Sequence, residues 1–315
     1  MYKLLDWLQP YVDKLDWDGL SSNPKAIYLL KQHPDKISWY WLSMNQDAIY
    51  ILEQEHDKID EINLSTNTSP LAISMERNLD KIKWCWLSMN PNAIFLLEKN
   101  MDKIKWGRLS MNPNAIPLLE KNMDKINWHE LSCNPSAIPL LEKNMDKINW
   151  HELSSNPNAI PLLEKNMDKI DWNLLSNNEN AASILEKNMD KINWYFLSCN
   201  PNAIHILEKH PEKINWDGLS INPNDLSLYL LEKNIDKINW HCLSRNLNPL
   251  ALRIIEKNID KINWFEFSRN PNIFTLDYDW LKKRMDILRE ELMLKVWHPS
   301  RIARWLEQGL DLDEI

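Results

Sequence analysis

Residues 112–133 read NPNAIPLLEKNMDKINWHELSC, and residues 134–155 read NPSAIPLLEKNMDKINWHELSS. Two near-identical blocks in succession define a tandem repeat. A period of this length decides the architecture before any local reading does. Working outward, related copies occupy residues 13–276. Their clearest marker is a tryptophan: Trp17, Trp39, Trp84, Trp106, Trp128, Trp150, Trp172, Trp194, Trp216, Trp240 and Trp264. One further unit has Glu61 in its place, which makes 12 units, most of them 22 residues long and the longest 24. Every unit carries Ser-x-Asn directly after a Leu or Phe.

Each unit reads as two short helices. Asn112 is suited to cap the first, because its side-chain oxygen accepts from an orphan backbone N–H. Pro113 suits the first helical position, where no N–H is needed. Ala115, Ile116, Leu118 and Leu119 cover two adjacent helix faces, as expected for a helix buried between neighbours. Ile126, Trp128 and Leu131 are the inward residues of a second, shorter helix. Pro117, Pro139 and Pro161 stand five residues after the capping Asn, where a regular helix would lose a hydrogen bond. These units are expected to start with a 3₁₀ turn or to begin the α-helix late. A leucine-rich repeat with a strand would need Leu-x-Leu alternation; here the apolar spacing is three to four.

The predicted fold is all-α: an α-solenoid of about 12 two-helix repeats of 22–24 residues with N- and C-terminal helical caps. A lone unit of this size cannot offset its ordering entropy, so stability must come from shared interfaces between neighbours. Residues 1–12 (LLDWLQ at their centre) are expected to form the N-terminal cap, residues 13–276 the array, and residues 277–315 a C-terminal helical cap over its open end. Unless strongly coiled, twelve units packed ~8–10 Å apart would form a rod of about 100 Å. Register breaks near residues 67–78, 222–234 and 246–258 are expected to be loop-length drift, or places where the solenoid bends or bulges.

Composition limits function. The chain has 315 residues, a formal net charge of -8, 17 Trp and only 4 Gly. An acidic balance argues against a general nucleic-acid or anionic-membrane surface. Cys85, Cys133, Cys199 and Cys242 form no CxxC pair and read as free thiols of a reducing compartment. The N-terminus lacks a basic start and an apolar run, so no secretory signal is expected. No stretch approaches a membrane span.

The C-terminal string EELMLKVWHPSRIARWLEQGLDLDEI resembles a segment that ends proteins of giant nucleocytoplasmic DNA viruses, the mimivirus-like and chlorovirus-like groups. The repeat pattern WxxLSxNPxAIxLLExNxDKI is similar to tandem-repeat proteins of those genomes. The resemblance implies a viral origin and a repeat scaffold in the host cell cytoplasm or the virion, and it carries over no catalytic residue.

Candidate chemistry is sparse. His129-Glu130 and His151-Glu152 occupy equivalent places in adjacent units, with His241 in a later one, and read as duplicated surface. The repeated Asp-Lys and Glu-Lys pairs read as a solvated face and the eleven repeat Trp as core. No glycine-rich phosphate loop, nucleophile elbow or paired-Cys metal pattern is present. No enzyme activity, metal or cofactor is expected. The better signal is variation between copies at the two positions after the Trp. Its aromatics, Tyr40, Trp41, Trp86, Tyr195, Phe196 and Phe265, form a stripe that either binds a protein partner or completes packing between units. A particle-structural role and single-stranded RNA binding are the alternatives; the latter lacks a repeated Arg or Lys at the variable positions.

Overall fold

The repeat Asn does two jobs at once, and the second decides the architecture. In the computed structural model, which describes residues 1–69 and 83–308, Asn134 Oδ1 accepts from the Ser136 N–H at 3.0 Å. That is the cap expected from sequence. Its amide nitrogen donates backwards, to the carbonyls of Ser110 at 2.9 Å and Asn112 at 3.0 Å in the preceding unit. Ser110 Oγ in turn donates to the Trp106 carbonyl and accepts from the Asn127 N–H of the next unit at 3.0 Å. Ser and Asn are buried in nearly every unit. Each joint is therefore wired by polar groups that would cost about 1–3 kcal/mol apiece if left unpaired.

The units are the expected pairs of helices. A short helix begins at the Trp, as in Trp128–Ser132. The Asn-Pro turn follows as a 3₁₀ turn, as in Pro135–Ala137, and continues into Ile138–Glu142. The 3₁₀ start is not confined to the units with a second Pro: Pro24–Ala26 before Ile27–Gln32 has the same form. Leu131 and Leu141 are fully buried and belong to one continuous core that runs through all units. Two of the register breaks leave the wiring intact. Asn246 still bonds Ser220 and Asn222, and Asn270 still bonds Ser244 and Asn246, so the extra residues are absorbed on the outside of the joint. Most of the third, near residues 67–78, lies outside the described residues.

The array does not run out as a rod. Asn23 of the first unit donates to the carbonyls of Ser268 and Asn270 of the last, both at 3.0 Å. Asp16 N–H donates to Ser268 Oγ at 2.8 Å. The helix α1 (Trp17–Ser22) packs on α2 (Trp264–Arg269) as neighbouring short helices do elsewhere. Unit 12 thus precedes unit 1, and the solenoid closes into a ring of 12 units. The physical reason is a constant small rotation per joint: a full turn shared by 12 units is about 30° each.

Both termini build the seam. Residues 1–12 are not a helical cap over an open end. Strand β1 (Tyr2–Leu4) pairs antiparallel with β2 (Phe274–Leu276), and a 3₁₀ helix spans Asp6–Lys14. This segment supplies the outer element that unit 12 lacks. Leu8 is fully buried, Trp7 packs on Phe267, and Tyr11 stacks on Trp264 at 5.9 Å. The C-terminal helices also depart from expectation. Helix α3 (Tyr278–Val296) has no buried residue, so neither it nor α4 (Pro299–Glu307) covers the array.

The repeat Trp residues are partly buried at the edge of the core rather than inside it. Their outer face carries a lysine, from three residues before the Trp of the following unit. Lys125 lies over Trp106 and Lys147 over Trp128, both at 4.7 Å from the ring centre. The Asp-Lys repeat is thus partly a cation–π ladder, and Lys14 continues it across the seam onto Trp264 at 5.7 Å.

Candidate binding surface lining the ring

Neighbouring short helices and Asn-Pro turns meet more closely than neighbouring outer helices do. In a closed ring the closest elements lie toward the axis, so the short helices line the opening. Helices about 9 Å apart put twelve axes on a circle roughly 35 Å across. Subtracting about 5 Å of side chain from each wall leaves an opening of roughly 25 Å.

The variable stripe lies on these helices, and its two positions behave differently. The first faces outward from the helix: Tyr40, Tyr195 and Phe265 are 53%, 48% and 42% exposed. The second turns onto the preceding unit. Asn63 Nδ2 donates to the Tyr40 carbonyl, Glu152 approaches His129, and Glu266 meets both His241 and Arg245. Trp41 and Phe196, at this second position, are half-buried, while Trp86 remains exposed. Position therefore separates partner surface from inter-unit packing in most units, but units 4 and 5 reverse it: Cys85 and Gly107 are half-buried while Trp86 and Arg108 are exposed.

The seam gathers the aromatics. Arg269 of unit 12 lies between Phe265, at 4.3 Å, and Trp41 of unit 2, at 4.4 Å. It reaches across unit 1 because that unit has Gly19 at the second stripe position. A Cβ there would sit 2.9 Å from Ser268 Cβ and 3.0 Å from the Phe265 carbonyl. Arg269 Nε is buried without a hydrogen-bond partner. Aromatic faces on both sides offset that cost. Tyr40 stands edge-on to Trp41. Exposed Ile62 of unit 3 and Trp86 of unit 4 continue the arc. Tyr195 and Phe196 form a separate edge-to-face pair in unit 9. Beside the arc, Ile221, Pro223, Arg245, Leu247, Glu266, Arg269 and Asn270 line an open recess of about 360 Å³. It falls at the last register breaks.

Six units round the ring from the seam lies a polar wall. His129 Nε2 is 3.5 Å from Glu152, and His151 Nδ1 is 2.8 Å from Asp171. Burial alone would raise the Asp171 carboxyl, but the Leu174 N–H and the His151 ring outweigh it and hold it below the usual value. Burial, then Glu152 and Glu130, push the Cys133 thiol up; burial also raises Cys199 and Cys242. Such cysteines stay thiols near neutral pH, unlike activated nucleophiles. Among the described residues no group of three or more His, Cys, Asp and Glu is arranged to hold a metal ion, and no helix is long and apolar enough to cross a membrane.

Sequence reading missed Arg269 and Gly19. Arg269 shares its place only with Arg245 of unit 11, other units having Ser, Met, Thr, Cys, Asn or Ile there, and Gly19 stands where most units have a larger side chain. Comparison with family models, curated proteins and solved structures finds no match to this chain.

Proposed function

We propose that the protein is a non-enzymatic ring scaffold that holds a protein partner against the aromatic arc of its opening. The observation that carries this reading is the exposed arc of Tyr40, Phe265 and Trp86 around the Arg269 stack. Aromatic and arginine side chains of this kind supply most of the energy of protein interfaces. An opening with an apolar side facing a side lined by Glu130, Glu152 and Asp171 suits an amphipathic segment, such as a helix or loop with one basic and one apolar face. We further propose, from the resemblance of the C-terminal segment and of the repeat, a giant-virus setting in the host cell cytoplasm or the virion.

The test uses two solvent-facing anchors of the arc that do not touch Arg269. Tyr40→Ser with Trp86→Ser should leave the thermal midpoint of the ring nearly unchanged. It should remove the dominant partner recovered by affinity purification from infected cells with mass spectrometry. Recovery of the same proteins by the variant would overturn the reading. Trp41 is unsuitable for this experiment, because its loss would also loosen the seam.

A further inference from the structure

Residues 13–276 take their positive charge mainly from lysine and hold only five arginines. Two of these, Arg245 and Arg269, occupy the same place in adjacent units and line the recess of about 360 Å³ beside the arc. The residue type matters. A lysine offers a point charge, whereas an arginine fork offers paired N–H donors that match a carboxylate. The apolar lining is Ile221, Pro223 and Leu247. It lies beside the two-residue insertions, which delay the outer helices to Asp225 and Ala251. Leu247 stands where most units have Pro, and it is 62% exposed.

The charges in the recess do not cancel. Glu266 is 3.5 Å from Arg245, while Arg269 forms no ion pair among the described residues and leaves its Nε without an acceptor. Asn270 spends its amide on the Ser244 and Asn246 carbonyls and its oxygen on the Asn272 N–H. The two arginines and Glu266 leave one positive charge in excess. A single carboxylate balances it, whereas a phosphate dianion would set surplus negative charge beside Glu266. The volume is at the small end for a ligand pocket and suits two neighbouring side chains. We propose that the recess is a subsite for an acidic residue of a bound peptide, its carboxylate on the Arg245 and Arg269 forks and an adjacent aliphatic side chain against Ile221, Pro223 and Leu247. The proposal rests on the reading of the opening as a protein-binding surface. A segment with basic residues on the Glu152–Asp171 wall sets its acidic residue here, on the other side of the ring.

The experiment titrates the full-length protein, labelled with nitrogen-15 in its arginines, with N-acetyl-Leu-Glu-amide. Arg269 Nε is shielded from water, so its N–H should exchange slowly and give a sharp NMR signal. The Arg269 and Arg245 signals should shift saturably, with a Kd of about 1–10 mM. N-acetyl-Leu-Gln-amide should bind at least tenfold more weakly. N-acetyl-Leu-phosphoserine-amide should also bind more weakly than the Leu-Glu probe, and Glu266→Gln should narrow that gap. Arg245→Gln, at a half-exposed side chain, should weaken the Leu-Glu probe at least tenfold with the thermal midpoint of the ring unchanged. No saturable shift up to about 20 mM, or equal binding of the Leu-Gln probe or by Arg245→Gln, would overturn the subsite. Tighter binding of the phosphoserine probe would overturn its assignment to a carboxylate. The free probes do not need the arc, so their failure sinks the recess alone, whereas partner recovery unchanged by Tyr40→Ser with Trp86→Ser sinks the arc alone.

Discussion

The joint between units 5 and 6 and the joint between units 12 and 1 carry the same polar wiring. In one, Asn134 bonds the Ser110 and Asn112 carbonyls; in the other, Asn23 bonds those of Ser268 and Asn270. The difference lies in what surrounds the wiring. The internal joint is also held by the continuous chain. The seam is not, and it carries devices that no other joint shows among the described residues: the β1–β2 pair, a larger core residue at Phe267, and the Arg269 stack. Repetition makes every joint alike, but a ring made from one chain has one joint that covalent bonds do not guard, and there, as at Glu61 and the register breaks, the sequence departs from its consensus.

The largest expected effect breaks the comparison outright. Asn23→Asp and Asn134→Asp keep the capping oxygen but aim a buried carboxylate at two carbonyls. Each should cost about 3 kcal/mol or more in urea unfolding. Only Asn23→Asp should let the ring open, read as a larger radius of gyration by small-angle X-ray scattering. Equal expansion of both variants would show that covalent continuity does not guard the internal joint.

A middle effect comes from the glycines. Gly19→Ala and Gly218→Ala each place a Cβ within 3.0 Å of a neighbouring carbonyl or side chain, so each should lose about 1–3 kcal/mol. Gly107→Ala meets nothing closer than Asn127 Nδ2 at 3.5 Å. It should be neutral or gain up to about 1 kcal/mol from helix propensity. Thermal melts of the three variants decide whether close approach is special to the first two sites.

The smallest effect concerns the wall opposite the seam. A carboxyl held below its usual value adds stability above the unfolded-state pKa, near about 4, and loses it as pH falls through the lower folded value. Asp171→Asn places the residue used by units 6, 7 and 9 at this site. It should be slightly less stable than wild type at pH 6, with the gap closing as pH drops below about 4. A gap that stays constant across this range in urea midpoints would show that the His151 contact adds nothing to stability.

Much of the fold was legible. Asn112 and Pro113 announced a helix start by capping chemistry, and the structure places both there. The stripe was legible as a set of variable positions. Its division, in most units, into an exposed first position and a packed second was not, because that depends on how far one unit turns against the next. Leu8 precedes Trp17 by the same nine residues that separate Leu119 from Trp128, and unit 12 lacks a matching Leu. The two half-units were visible as fragments, but only closure gives them a reason to match.

By itself the sequence determined the helices, the period and the number of units, because capping, propensity and apolar spacing act within some twenty residues. Only the tertiary structure decided that the units form a ring and that Phe265, Arg269 and Trp41 come together. Closure depends on the angle at each joint summed over 12 joints. A few degrees per joint, which no single repeat records, separate a ring from an open spiral.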